Sequence, residues 1–231
     1  MADVLSVRNL SVNFDERRVL HNLSFDLPKG ETLAIIGPNG SGKTVLLRAL
    51  LNIISFEGEI VWSPETRLGY VPQKIEVDHH LPLNVANLLT AKADVMGIPR
   101  SRIKATTERM QIPKRLLETP VGHLSGGQFQ KAFIAFALLG DPNVILFDEP
   151  TANLDQLSEE HIYELMQELQ KERGMTIILV SHELSVVYRY STKVLCLNKE
   201  KICFGPPEEA LDPEILKKLY GPEHKLHHHH D

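Results

Sequence analysis

Gly37-Pro38-Asn39-Gly40-Ser41-Gly42-Lys43-Thr44 is the stretch on which the fold turns. It fits the spacing G-x-x-x-x-G-K-[ST], in which glycines let backbone N–H groups curl around phosphate oxygens at the start of a helix. Before it stands the apolar run Thr32–Ile36, and after it Val45, Leu46, Ala49, Leu50 and Ile53 recur at helical spacing. The reading is a buried strand, a tight loop and a helix. Lys43 would neutralise the β- and γ-phosphates of a nucleotide, and the Thr44 hydroxyl would bind Mg²⁺.

Upstream, Val4–Leu10 and Val19–Leu27 are short β-like runs separated by turns, which predicts a partly antiparallel sheet. Downstream, helical segments broken by Pro82, Pro99, Pro113 and Pro120 carry Val85, Leu88 and Leu89 on one face, so residues 73–124 read as an inserted helical subdomain. A helix near Gly126–Leu139, a strand Val144–Phe147, an amphipathic helix stopped at Gly174 and a strand Thr176–Val180 follow. This alternation argues for an α/β fold, a parallel sheet covered by helices.

The strand 144–147 delivers Asp148-Glu149-Pro150 at its carboxyl end, where ligands of open α/β sheets bind. Asp148 is placed to hold Mg²⁺ through its water shell, and Glu149 to orient and polarise an attacking water.

The chain has 42% hydrophobic and 24% charged residues, ordinary values for a globular protein. With 25 Lys+Arg against 30 Asp+Glu there is no global positive field to draw in a nucleic-acid backbone, so no nucleic-acid partner is expected. No apolar run approaches the roughly 20 residues needed to cross a bilayer, and the acidic start Met1-Ala2-Asp3 has no signal-peptide character. Any membrane role therefore calls for a partner that spans. Cys196 and Cys203 have neither redox-motif nor disulfide-framework spacing and read as two reduced, packed thiols. Residues 222–231 read as a flexible His-rich tail; His224 and His227–His230 suit Zn²⁺ or an expression tag, and both readings stand open. His79 and His80 read as exposed loop residues.

Leu124-Ser125-Gly126-Gly127-Gln128, before a helix and upstream of the acidic strand, resembles the signature of ABC-type ATPases, and the match covers nearly the whole chain. Ser125 and the N–H groups of Gly126 and Gly127 at a helix start form a second anion site. The resemblance implies a single domain over 1–231: a P-loop NTPase with a RecA-like core, an N-terminal antiparallel β subdomain and an inserted α-helical subdomain. It also implies a head-to-tail homodimer on ATP binding, with Ser125–Gln128 of one copy closing on ATP held by the other. Gln73 in Tyr70-Val-Pro-Gln73 resembles the Q-loop, which reaches Mg²⁺ or the attacking water; Asn153-Leu154-Asp155 resembles the D-loop, and His182 the switch histidine. Phe14 stands where the family stacks an aromatic on adenine, with a core phenylalanine as the rival reading. Two positions depart from the family: Lys131 and Phe136 stand where it usually has arginine.

By the same resemblance this is the detached ATPase subunit of an importer, peripheral at the cytoplasmic face of the membrane. Its partners would be integral membrane permease subunits and an extracytoplasmic metal-binding protein acting through them. The segments 78–85, 194–198, 203–207 and 219–221 are similar to ATPases of zinc/manganese importers, which implies a divalent transition metal as cargo. A lipoprotein-release or other export ATPase, and a soluble ABC ATPase, are the alternatives.

Overall fold

The computed structural model describes residues 2–15, 17–73, 82–151 and 154–221; His79, His80, Asn153 and the 222–231 tail lie outside them. In chain order the elements are β1 (Asp3–Phe14), β2 (Arg17–Pro28), β3 (Thr32–Ile36), α1 (Lys43–Leu50), β4 (Glu57–Trp62), β5 (Leu68–Val71), α2 (Val85–Met96), α3 (Ser101–Arg109) and α4 (Lys114–Glu118). The chain continues with α5 (Gly126–Leu139), β6 (Val144–Asp148), α6 (Gln156–Arg173), β7 (Thr176–Val180), α7 (Leu184–Tyr190), β8 (Lys193–Asn198), β9 (Glu200–Gly205), α8 (Pro207–Ala210) and α9 (Pro213–Tyr220). They fall into two compact units, residues 1–63 with 178–231, and residues 64–177. The stretch 73–124 holds α2, α3 and α4, while the unit around them runs further both ways because it includes β5, β6, α5 and α6.

In the first unit β1 pairs antiparallel with β2 and β4. Leu5, Val7, Leu10 and Val12 are all fully buried, although strict alternation would bury residue 9 rather than residue 10. The break is a bulge: Asn9 is left-handed (φ 51), and the register with β2 shifts between Val7 and Leu10. Opposite it, a Cβ on Gly58 would come within 2.5 Å of the Asn9 carbonyl oxygen, so only glycine fits there. The expected runs Val4–Leu10 and Val19–Leu27 thus belong to longer strands, bent rather than ended by their turn residues.

The second sheet of this unit is built on β3, whose five residues are all buried. β8 lies parallel to it, with Ile36 opposite Cys196, and β9 returns antiparallel. Ala34, Ile36, Val187, Val194, Cys196, Ala210, Leu216 and Leu219 form one apolar cluster that seats α9 against the sheet. Each fully buried Leu or Ile of such a cluster contributes about 1.5–3 kcal/mol. The expectation of two separate reduced thiols is corrected here: Cys196 and Cys203 are joined as a disulfide. Lys199 takes φ 64 in the turn between β8 and β9, which makes residues seven apart in sequence cross-strand partners.

In the second unit β5 lies parallel to β6, Val71 opposite Phe147. α2 begins with a reciprocal cap, in which the Asn87 N–H donates to Asn84 Oδ1 at 2.8 Å and the Asn84 N–H donates to Asn87 Oδ1. It ends at left-handed Gly97 (φ 64). α6 is capped by Asp155 and stops at left-handed Gly174, the stop expected from sequence.

Candidate functional site

β3 carries no polar side chain beyond its first residue, Thr32, so its buried run delivers the chain into the glycine loop. Gly37 cannot be anything larger, because a Cβ there would stand 2.0 Å from the Leu197 carbonyl oxygen of β8. Gly42, the N-cap of α1, sits at φ 103 with no side-chain cap, which leaves the first-turn N–H groups of α1 directed at the loop. A Cβ on Gly42 would strike Leu20 Cδ2 at 2.5 Å.

Within this loop Lys43 is only 6% exposed, and its Nζ donates to the carbonyls of Gly37 (2.9 Å) and Pro38 (3.1 Å). The lysine is folded onto the loop it would serve. Ser41 Oγ is buried without a hydrogen-bond partner among the described residues. A buried hydroxyl is costly to leave unpaired, and an anionic oxygen in the loop would complete it; the donors present fit a phosphate group. The Tyr220 phenol, at the end of α9, meets the backbone of Gly37; burial pushes its pKa up, against a smaller downward pull from that contact.

Two further expected residues belong to the same unit. His182 is exposed two residues beyond β7, in a segment anchored by the Ser181 N–H, which donates to the Ile35 carbonyl of β3, and by the Glu183 N–H on Ser181 Oγ. Phe14 ends β1 with 45% of its surface exposed, so it is no core residue.

The second unit carries the acidic residues. β6 is buried throughout and ends on Asp148, 2% exposed. Glu149 follows in a left-handed conformation (φ 47), uncommon for a non-glycine residue and frequent at functional positions. Gln73 Nε2 donates to Glu149 Oε2 at 2.5 Å. The strand register explains the pairing: Val71 is opposite Phe147, so residues two beyond each strand position emerge side by side.

Ser125 caps α5 in a capping box: Ser125 Oγ accepts from the Gln128 N–H at 3.4 Å, and Gln128 Oε1 accepts from the Ser125 N–H at 3.1 Å. Ser125, Gly126 and Gln128 are exposed, so this helix start faces outward. Gly127 has little slack, since a Cβ there would lie 3.0 Å from Ser158 Oγ in α6. That serine is fixed by Asp155, whose Oδ1 accepts the Ser158 N–H (3.0 Å) and whose Oδ2 accepts its hydroxyl (2.8 Å). Here Asp155 acts as the α6 cap and steadies the ground beneath the Ser125–Gly127 corner.

Lys92, which nothing in the sequence singles out, contacts Phe136, one of the two departures from the family pattern. Lys92 of α2 donates to the Phe136 carbonyl at 2.6 Å, and its Nζ stands 4.3 Å from the Phe136 ring centroid. Burial pushes the Lys92 ammonium below the ordinary lysine value. α5 has no basic residue in its last turn, and Phe136 carries one of its last four carbonyls. Lys92 supplies from a neighbouring helix the cation that this end lacks. An alternation of apolar and polar residues along α2 gives no sign of such a contact.

The family model described as ABC transporter matches residues 20–152. The zinc import ATP-binding protein ZnuC of Yersinia pestis bv. Antiqua (strain Antiqua) is 36% identical over 241 residues, covering 100% of this chain and 94% of its own. That of Pasteurella multocida (strain Pm70) is 33% identical, covering 99% and 89%. Among solved structures, cbiO1 from Clostridium perfringens, part of the ABC transporter complex cbiONQ, superposes with a TM-score of 0.78 at 29% identity, covering 94% of each chain. With the glycine loop, the acidic strand end and the capped Ser125 corner all present, the chain belongs to the ABC transporter family.

Proposed function

We propose that this chain is the ATPase subunit that drives import of a divalent transition metal, zinc or manganese, through a separate membrane permease. The observation that carries the nucleotide chemistry is the loop 37–44, with Ser41 Oγ buried without a partner among the described residues and Lys43 folded in. Similarity to the zinc import ATP-binding proteins of Yersinia pestis and Pasteurella multocida supports the metal.

ATP phosphates take the N–H groups at the start of α1, Lys43 exchanges two neutral carbonyls for an anion, and Ser41 gains its acceptor. Phe14 stacks on the adenine, a contact worth about 1–3 kcal/mol in comparable base stacking. Glu149 polarises the attacking water, Gln73 orients that carboxylate, and His182 hydrogen-bonds the γ-phosphate. Thr44, Asp148 and Gln73 each offer an oxygen donor of the kind a hard cation takes; they would hold Mg²⁺, which would supply neutralisation of phosphate charge. Ser125, Gly126 and Gly127 of a second copy complete each ATP, so the working form is a head-to-tail dimer. The dimer sits peripherally at the cytoplasmic face on permease subunits, which receive metal from an extracytoplasmic binding protein.

Glu149→Gln is expected to reduce hydrolysis by about 10²–10⁴-fold and to hold an ATP-bound dimer, read by light scattering on a sizing column. A variant that stays monomeric at saturating ATP with its permease present sinks the sandwich. Reconstituted with the neighbouring permease and a metal-binding protein, the wild type should hydrolyse ATP faster with Zn²⁺ or Mn²⁺. Stimulation by a lipid-linked cargo and by neither metal would favour the export reading.

A further inference from the structure

The β8–β9 hairpin is the wall against which the phosphate loop is built. The Leu197 carbonyl leaves no room for a Cβ on Gly37, and the Lys199 N–H donates to the Ser41 carbonyl at 3.0 Å. The Lys199 carbonyl accepts from the His21 N–H at 2.7 Å, so the hairpin turn is held on both sides. Next to Leu197 stands Cys196, bonded to Cys203 across the ladder, and the strand register shifts between Cys196 and Leu197. The sulfurs therefore sit at the step where β8 leaves regular pairing and turns toward the loop.

We propose that Cys196 and Cys203 are a reversible thiol–disulfide switch that sets the shape of the phosphate loop and, through it, the affinity for ATP. The inference rests on ATP binding at that loop. At the reducing cytoplasmic face given under the proposed function, disulfides are characteristically transient or sensing rather than structural.

Access is one-sided, because Cys196 is fully buried while Cys203 is partly exposed. A thiolate of a small thiol or of a protein dithiol attacks Cys203 Sγ and forms a mixed disulfide. The electron pair of the broken S–S bond leaves on Cys196 Sγ, which takes up a proton. A second thiolate then attacks the reductant's sulfur, and Cys203 departs and is protonated. Two electrons and two protons reach the protein, and the reductant ends as a disulfide. The thiols so formed have an acceptor at hand, since the Ala210 carbonyl stands 3.7 Å from Cys196 Sγ and 4.0 Å from Cys203 Sγ.

Thiol sulfurs are non-bonded atoms and must stand further apart than bonded ones. Cys196 is part of the buried apolar cluster that also holds Ala34, Ile36, Val194, Ala210 and Leu216. A close-packed surrounding transmits such a displacement rather than absorbing it. It passes along β8 to the Leu197 carbonyl and through the following turn to the Lys199 N–H, two of the groups that meet the loop.

The test uses the full chain, treated with dithiothreitol or oxidised glutathione, with thiols counted by titration and ATP affinity measured by calorimetry. The reduced form should bind ATP roughly threefold to tenfold more weakly, the scale of losing one neutral hydrogen bond from the loop, and reoxidation should restore it. Cys203→Ser should be insensitive to either reagent. The wild-type comparison needs no substitution, so a variant that fails to fold does not spare the proposal. Equal affinities with two thiols freed, or sulfurs that never bond under oxidised glutathione, overturn the switch. Binding of ATP by neither form overturns the nucleotide reading and the switch together.

Discussion

Single atoms decide the outcome at Gly37 and at Lys92. Gly37→Ala puts a methyl group 2.0 Å from the Leu197 carbonyl oxygen, so either the loop or β8 must move. ATP affinity measured by calorimetry should fall by at least about tenfold, since a displaced loop no longer converges its N–H groups on phosphate. Gly40→Ala is the control: among the described residues beyond its chain neighbours nothing lies within 4 Å of the added Cβ, and its φ of 77 is what stands against it, so its loss should be the smaller. Lys92→Met removes a hydrogen bond and a cation–π contact at once, with an expected cost of about 1–2 kcal/mol in urea unfolding. The direction of its pH dependence follows from burial, which sets the folded pKa below the unfolded one. The contribution linked to this group is fully present above the unfolded value near 10.4 and is lost as pH falls through the lower folded value. The stability gap between wild type and Lys92→Met should therefore widen as pH rises across that window.

Elements were legible in the sequence where the apolar period and the stop residues agreed. The apolar pattern places a helix near Gly126–Leu139 and a strand over Thr176–Val180, and the structure has both with those bounds. Gly174 ends α6, and the prolines at 99, 113 and 120 stand at the starts of helical turns rather than inside them. What stayed hidden were pairings made only by a turn or by packing: the bulge at Asn9, the facing of Cys196 and Cys203, and the reach of Lys92 to α5. None leaves a periodic trace, because each depends on which residues a turn or a neighbouring helix brings opposite. The cap of α5 belongs with these, since Ser125, placed at a helix start by the sequence, also closes a capping box with Gln128 in the structure. Ser125→Ala should cost about 1 kcal/mol of stability by denaturant titration. If the serine also contacts nucleotide in a dimer, ATP-driven dimerisation should weaken by more than that cap alone explains.

At the scale of the molecule, belonging to the ABC transporter family accounts for the order of the motifs along the chain. Cargo was legible only through resemblance, since an ATPase subunit that works through a permease needs no residue touching what is carried. Among the described residues no helix is long and apolar enough to cross a membrane. Expressed with its permease, the chain should sediment with membranes and be stripped by alkaline carbonate; expressed without the permease, it should leave the membrane fraction. The tightness between Gly127 and Ser158 has a consequence for genetics. An alanine at 127 crowds a hydroxyl belonging to a different helix, so the defect is one of fit between two addresses in the gene. Selection for restored growth from such a mutant should return second changes at codon 158 toward glycine or alanine, intragenic suppressors that a lesion in the phosphate chemistry itself would not yield.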